Sequence, residues 1–214
     1  MKAHDATVFV VDDDDSVRKA LTRLLSSAGY RVDAYRTAND FLAHATPRPE
    51  GPACVIIDLC MPDVGGLELQ GLLQAANVPL PVLFATAHGD VPSSVRAMKG
   101  GAVDFLTKPI EETELFAAVR RAVAMDDESR RTRAAQAALT QRLARLTPRE
   151  HQVLSLVVTG MLNKQIAGRL GTSERTIKVH RARVMQKMEA RSVADLVRIA
   201  DRLGVSGGVM RAAV

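Results

Sequence analysis

The chain has 214 residues, 47% of them apolar and 25% charged, which is enough for one large or two small domains and far from a disordered composition. Its formal net charge of +5 hides an asymmetry: residues 1–125 carry 16 acids and 12 bases (−4), whereas residues 126–214 carry 8 acids and 17 bases (+9). No apolar run approaches the roughly 20 residues needed to span a bilayer, and "MKAHDATVFVV" has no signal-peptide pattern. The expectation is a cytoplasmic protein with no membrane partner, in two domains, the second facing a polyanion.

In chain order, the first apolar run, "VFVVD", leads straight from Asp12 into Asp13, Asp14 and Asp15. Four carboxylates beside a core repel one another, so a compensating positive charge is expected there. The runs "RVDAY", "CVIID", "PVLFAT" and "DFLTK" follow, separated by helical patterns such as Val17, Leu21, Leu24 and Leu25, or Leu67, Leu69, Leu72 and Leu73. This alternation predicts an α/β domain, a doubly wound five-stranded parallel sheet with both faces covered. Cys54 and Cys60 stand at the two ends of one strand, about 20 Å apart and too far for a disulfide. A reducing compartment fits.

Ligands of such sheets bind at the carboxyl ends of the strands. Those ends bring Asp12 and Asp13, Asp58, Thr86 and Lys108 to one edge. Hard oxygen donors of this kind suit Mg²⁺, which would also screen the acids. Asp14 and Asp15 fall in the first turn of the next helix, where free amides and the helix dipole favour carboxylates.

From Glu111 to Leu146 the chain lacks Gly and Pro and reads as a long helix, or two in line, with an acidic cluster at 126–128 and a basic run at 130–133. A flexible linker is the alternative, against which the absence of Gly argues. "LTPRE" then opens a smaller all-α domain, with Thr147 as cap, Pro148 first in the helix and Glu150 third. Helical patterns at 148–159, 163–170, 173–188 and 192–203, with a turn at Gly171, predict a helix-turn-helix. In its second helix Ile177, His180, Val184 and Met188 form the buried stripe, with His180 a core histidine. Arg175, Lys178, Val179, Ala182, Arg183 and Gln186 lie opposite, a cationic face long enough to enter a major groove. Arg181, nearer the edge, is expected to meet phosphate or solvent. The expected boundaries are 1–122, a helical linker at 123–143, and 144–214.

The set Asp12, Asp13, Asp58, Thr86 and Lys108, with the Lys108-Pro109 pair, resembles the flavodoxin-like receiver domain of two-component response regulators over residues 6–122. The resemblance implies that Asp58 accepts a phosphoryl group from a sensor histidine kinase. It also implies that Asp12, Asp13, Asp58 and the backbone carbonyl of Cys60 hold Mg²⁺, and that Thr86 and Lys108 take phosphoryl oxygens. Phe105 is then an aromatic switch that follows Thr86, a plain core phenylalanine being the alternative. The Lys108-Pro109 bond is expected to be cis, a conformation that costs only about 0.5 to 1 kcal/mol before proline.

The stretch "HGDVPSSVRAMKGGAVDFLTKP" is similar to the FixJ-type subgroup, which implies dimerisation on phosphorylation through the fourth helix and fifth strand. Val95, Met98 and Lys99 are the candidate dimer residues, core packing being the alternative for the first two. Residues 144–203 resemble the LuxR-type DNA-binding domain, implying that Lys178 and Val179 read bases; Ala182 stands where some members carry lysine. The function so implied is a phosphorylation-activated transcriptional regulator, not an enzyme of metabolism. Its partners would be a histidine kinase, double-stranded promoter DNA, RNA polymerase and a second copy of itself. A rival is a haloacid-dehalogenase-like phosphohydrolase built on Asp12 and Asp14, a family that needs a further acid pair after the lysine strand, for which Glu111 and Glu112 are the only nearby candidates. A receiver used without phosphorylation is a third possibility.

Overall fold

The computed structural model describes residues 6–44, 49–62, 64–87 and 91–205. They form two compact units, divided between Arg130 and Arg131. In the first, strands β1 (Thr7–Val11), β2 (Arg31–Tyr35), β3 (Ala53–Asp58), β4 (Val82–Thr86) and β5 (Asp104–Thr107) alternate with helices. These are α1 (Asp15–Ser27), α2 (Ala38–His44), α3 (Gly66–Ala75), α4 (Val91–Lys99) and α5 (Glu112–Ala144). All strand pairs are parallel, in the order β2-β1-β3-β4-β5. The five apolar runs are therefore the five strands, and the doubly wound sheet is as expected.

β1, β3 and β4 are buried along their whole length. Alternate side chains feed two cores: Phe9, Val11, Val55, Ile57 and Phe84 pack with α2 and α3, while Val8, Val10, Cys54, Ile56 and Leu83 pack with α1 and α5. Cys54 is buried and Cys60 exposed, both as free thiols.

The stretch expected as a helical linker, 123–143, lies within one unbroken helix, α5, the long helix that the sequence predicts, and the first unit extends along it to Arg130. Two contacts explain the extension of the first unit. Buried Asp126 accepts a hydrogen bond from the Ala53 amide at 2.9 Å, and Arg130 donates to the Pro49 and Glu50 carbonyls. In the second unit Leu139 and Leu143 of the same helix pack against the apolar core. No helix among the described residues is long and apolar enough to cross a membrane.

The second unit adds α6 (Pro148–Val157), α7 (Asn163–Leu170), α8 (Glu174–Lys187) and α9 (Val193–Arg202). Its N-terminal signal folds as the sequence predicts: Thr147 Oγ1 accepts from the Glu150 amide, and Glu150 Oε2 accepts from the Thr147 amide. Gly171 takes a left-handed conformation, φ 63°, to end α7, a turn that a side-chain-bearing residue would strain. Buried Glu150 also accepts from Lys187 Nζ at 2.6 Å, tying α6 to α8.

The Lys187 ammonium and the Thr147 amide hold the Glu150 carboxyl below its ordinary value of 4.5. A depressed folded-state pKa contributes stability that is fully present above the unfolded value and is lost as pH falls through the folded one. Unfolding followed by amide exchange in α6 and α8 should therefore show the wild-type unit losing stability below about pH 4.5. Glu150→Gln should start about 1 to 3 kcal/mol lower at neutral pH and show a flatter acid limb. Parallel pH profiles for the two proteins would contradict this account.

Candidate functional site

Strand register assembles the first site. Val11 lies opposite Ile57, Asp58 opposite Ala85, and Thr86 opposite Thr107, so Asp12, Asp58, Thr86 and Lys108 reach the same carboxyl edge. The crevice between β1 and β3 is where the strand order reverses, the position at which open parallel sheets bind ligands. Asp12, Asp58 and Thr86 are buried there.

Lys108 supplies the positive charge that the aspartate run required. Its Nζ donates to Asp12 Oδ2 at 2.6 Å and to Asp58 Oδ1 at 2.8 Å. The Lys108-Pro109 bond is cis, as expected. Burial pushes the Asp12 carboxyl above its ordinary range against the pull of Lys108. For Lys108 burial acts downward, but the hydrogen bonds and charges of Asp12 and Asp58 outweigh it and leave the ammonium favoured. Burial thus outweighs the single cation at Asp12, whereas two anions outweigh burial at Lys108.

The other acids divide as their positions suggest. Asp14 caps α1, accepting from the Ser16 and Val17 amides. Asp15 in the first turn pairs with Arg18 and Lys19. Asp13 is exposed beside the crevice. Asp58 Oδ2 accepts from the Cys60 amide at 2.9 Å, and the Cys60 side chain is exposed. Glu111 and Glu112, which the phosphohydrolase reading needed, are exposed, Glu112 opening α5. Phe105 is partly buried and packs against Phe84, ring centroids 6.3 Å apart.

Among the described residues no three Asp, Glu, His or Cys side chains converge as a ready-made metal cluster. The donor chemistry nevertheless fits a hard divalent cation: two buried carboxylates face one position, a third follows Asp12 in sequence, and a single ammonium opposes them.

Two supporting residues carried no signal in the sequence. Arg18 Nη1 donates to the Asp12 carbonyl at 2.7 Å, fixing the turn that presents Asp12. Gly66 starts α3 so close to the end of β3 that a Cβ there would lie 2.4 Å from the Asp58 carbonyl oxygen. Both are intelligible only once β1, β3 and their following helices are side by side.

Two surfaces complete the inventory. On α4 only Ser93 and Ala97 are buried, while Val95, Met98 and Lys99 are exposed, together with Val91. Core packing, the alternative for Val95 and Met98, is thus excluded. On α8, Ile177, Val184 and Met188 are fully buried and His180 is half-buried. Arg175, Lys178, Val179, Ala182, Arg183 and Gln186 are all exposed, as the helical periodicity requires. Arg181, expected at phosphate or solvent, is partly buried and its Nη1 donates to Asn163 Oδ1 at 2.9 Å.

Residues 8–120 match the response regulator receiver domain family, and residues 144–200 match the luxR family of bacterial regulatory proteins. The chain is 45% identical to nodulation protein W of Bradyrhizobium diazoefficiens over 94% of its own length and 88% of that protein. It is 44% identical to the transcriptional regulatory protein FixJ of Azorhizobium caulinodans over 93% of each. Among solved structures, the response regulator StyR superposes with a TM-score of 0.86 at 48% identity, over 92% of this chain and 99% of that one. Full-length FixJ from B. japonicum superposes with a TM-score of 0.56 at 42% identity, over 92% and 97%.

The excess of carboxylate over ammonium gives opposite expectations for two substitutions. Asp12→Asn leaves one anion facing one cation and removes a carboxyl whose raised pKa marks its charge as unfavourable. Lys108→Ala leaves two buried carboxylates facing each other. In metal-free thermal melts at neutral pH, Asp12→Asn should stabilise the first unit by about 1 kcal/mol, and Lys108→Ala should destabilise it by about 3 kcal/mol. Equal destabilisation by both would show that Asp12 is not the surplus charge.

Proposed function

Because the chain belongs to the response regulators that join a receiver domain to a LuxR-family DNA-binding domain, we propose that phosphorylation of Asp58 by a sensor histidine kinase controls its binding to promoter DNA. The membership supports a phosphorylation-dependent transcription regulator. The observation that carries it is the buried Asp58 carboxylate at the β1/β3 crevice, with Lys108 Nζ at 2.8 Å.

Phosphoryl transfer needs an in-line nucleophile and neutralisation of charge on the equatorial oxygens. Asp58 is the nucleophile, held by the Lys108 ammonium on one oxygen and the Cys60 amide on the other. As the bond to phosphorus forms and the bond to the donor nitrogen breaks, the negative charge to be held moves from the carboxylate to the phosphoryl oxygens. Lys108, already between Asp12 and Asp58, is placed to follow it. Thr86, buried at the end of β4, offers its hydroxyl to another oxygen. Mg²⁺, bound through Asp12, Asp13, Asp58 and the Cys60 carbonyl, would supply the remaining charge neutralisation. The chemistry is confined to the protein's own phosphorylation and dephosphorylation.

The signal would pass to the exposed α4 face, where Val95, Met98 and Lys99 are free of core packing and available to a second copy of the chain. Phe105, partly buried against Phe84 and on the strand paired with the one that ends in Thr86, is the side chain suited to couple the two. In the second unit the exposed Arg175, Lys178, Val179, Ala182 and Arg183 would face the major groove, with Lys178 suited to guanine acceptors. The +9 charge of residues 126–214 supports a polyanionic partner. RNA polymerase is the partner that a promoter-bound regulator would engage, and a cytoplasmic location follows from those partners.

Intact-mass measurement after incubation with acetyl phosphate and Mg²⁺ should show one added phosphoryl group on the wild-type chain and on Asp14→Asn, and none on Asp58→Asn. Labelling of Asp58→Asn with loss of labelling in Asp14→Asn would instead favour a first-strand nucleophile.

A further inference from the structure

Resting on the DNA-binding reading of the second unit, we infer that Arg181 is a positioning residue: through Asn163 it locks the start of α7 to the middle of α8 and so sets how α8 is presented to DNA. A direct phosphate contact, the role its place on the helix suggests, is not its function.

The geometry supports this on three counts. Arg181 Nη1 donates to Asn163 Oδ1 at 2.9 Å in a partly buried setting, where a charged donor is worth more than at a wet surface. Swinging the guanidinium outward to a phosphate would give up that charge-assisted bond, so Asn163 holds Arg181 against α7. The cations of α8 that do face outward, Arg175, Lys178 and Arg183, are exposed, so the helix is not short of charge for DNA.

Helix α7 needs such a tether. It has 8 residues and buries only Ile166 and Ala167, whereas isolated helices shorter than roughly 12 residues are marginal. Its N-cap, Leu162, has no side-chain oxygen for the first turn. At the far end Arg149 of α6 donates to the Leu170 carbonyl at 2.6 Å. One guanidinium from α8 and one from α6 therefore hold its two ends. Since α7 and α8 together make the helix-turn-helix, fixing α7 at Asn163 fixes the backbone against which Lys178 and Val179 are displayed.

The test uses the full chain with Arg181→Ala, Asn163→Ala, the double variant, and Lys178→Ala as an outward-facing comparison. Two probes are needed: a duplex enriched from a randomised library by the wild-type chain, and a random-sequence duplex. In the free chain, amide exchange across 163–170 should rise in both single variants and no further in the double, with α6 and α9 still protected. On the enriched duplex all three should lose affinity by the same factor, about tenfold. The slope of log affinity against log salt should stay at the wild-type value, whereas Lys178→Ala should leave α7 exchange unchanged and relax sequence preference. A slope reduced by about one for Arg181→Ala, with α7 exchange as in wild type, would overturn the inference in favour of a phosphate contact. Losses that multiply in the double variant would overturn it as well. If the wild-type chain bound neither duplex, the DNA-binding reading would fall and the role given to Arg181 with it, while the exchange data would still report the tether.

Discussion

Two buried carboxylates share one ammonium at the crevice between β1 and β3, and the first unit is built around that imbalance. The pairing of Val11 with Ile57 places the residues that follow them, Asp12 and Asp58, side by side. Lys108 crosses from β5 to reach both, at 2.6 and 2.8 Å. A single positive charge against two negative ones keeps the site folded yet incompletely neutralised. Such a site favours a further cation and a chemistry that moves negative charge, as phosphoryl transfer does.

The surrounding parts serve that arrangement. Asp14 and Asp15, which would add to the repulsion if they turned inward, are committed to the start of α1 and its basic residues. Arg18 bonds the Asp12 carbonyl and so connects α1 to the same turn. Gly66 permits α3 to begin against the Asp58 carbonyl. The second unit shows the same economy of charge. Lys187, Arg149 and Arg181 are spent on Glu150, the Leu170 carbonyl and Asn163, while Arg175, Lys178 and Arg183 remain outward. Its surface charge is thus sorted into cations that build the helix-turn-helix and cations free to meet a polyanion.

Much of this was legible in the sequence, because local rules decide it. Apolar runs of period and length suited to buried strands located all five strands, and the carboxyl-end rule then gathered Asp12, Asp58, Thr86 and Lys108 without knowledge of the contacts. The capping signal "TPRE" and the spacing of Ile177, Val184 and Met188 placed the helices of the second unit and the outward face of α8. What the sequence concealed depends on partners far apart along the chain. Asp126 read only as part of an acidic cluster, yet it is buried on the amide of Ala53, 73 residues away. That contact carries the first unit past residue 122. Arg181 read as a groove-edge cation because helical spacing reports direction but not the neighbour, here Asn163 of α7. Val95 and Met98 could have been core by composition alone; only the packing of Ser93 and Ala97 inward turns them out.

The proposed phosphoryl chemistry requires that a divalent cation relieve the surplus negative charge at the strand ends. Calorimetric titration of the full chain with Mg²⁺ tests it most directly, run on wild type and Asp12→Asn at several pH values. The account predicts one Mg²⁺ per wild-type chain, binding that weakens as pH falls toward the raised pKa of Asp12, and loss of binding in Asp12→Asn. Undiminished Mg²⁺ binding by Asp12→Asn, or none by the wild-type chain, would contradict it.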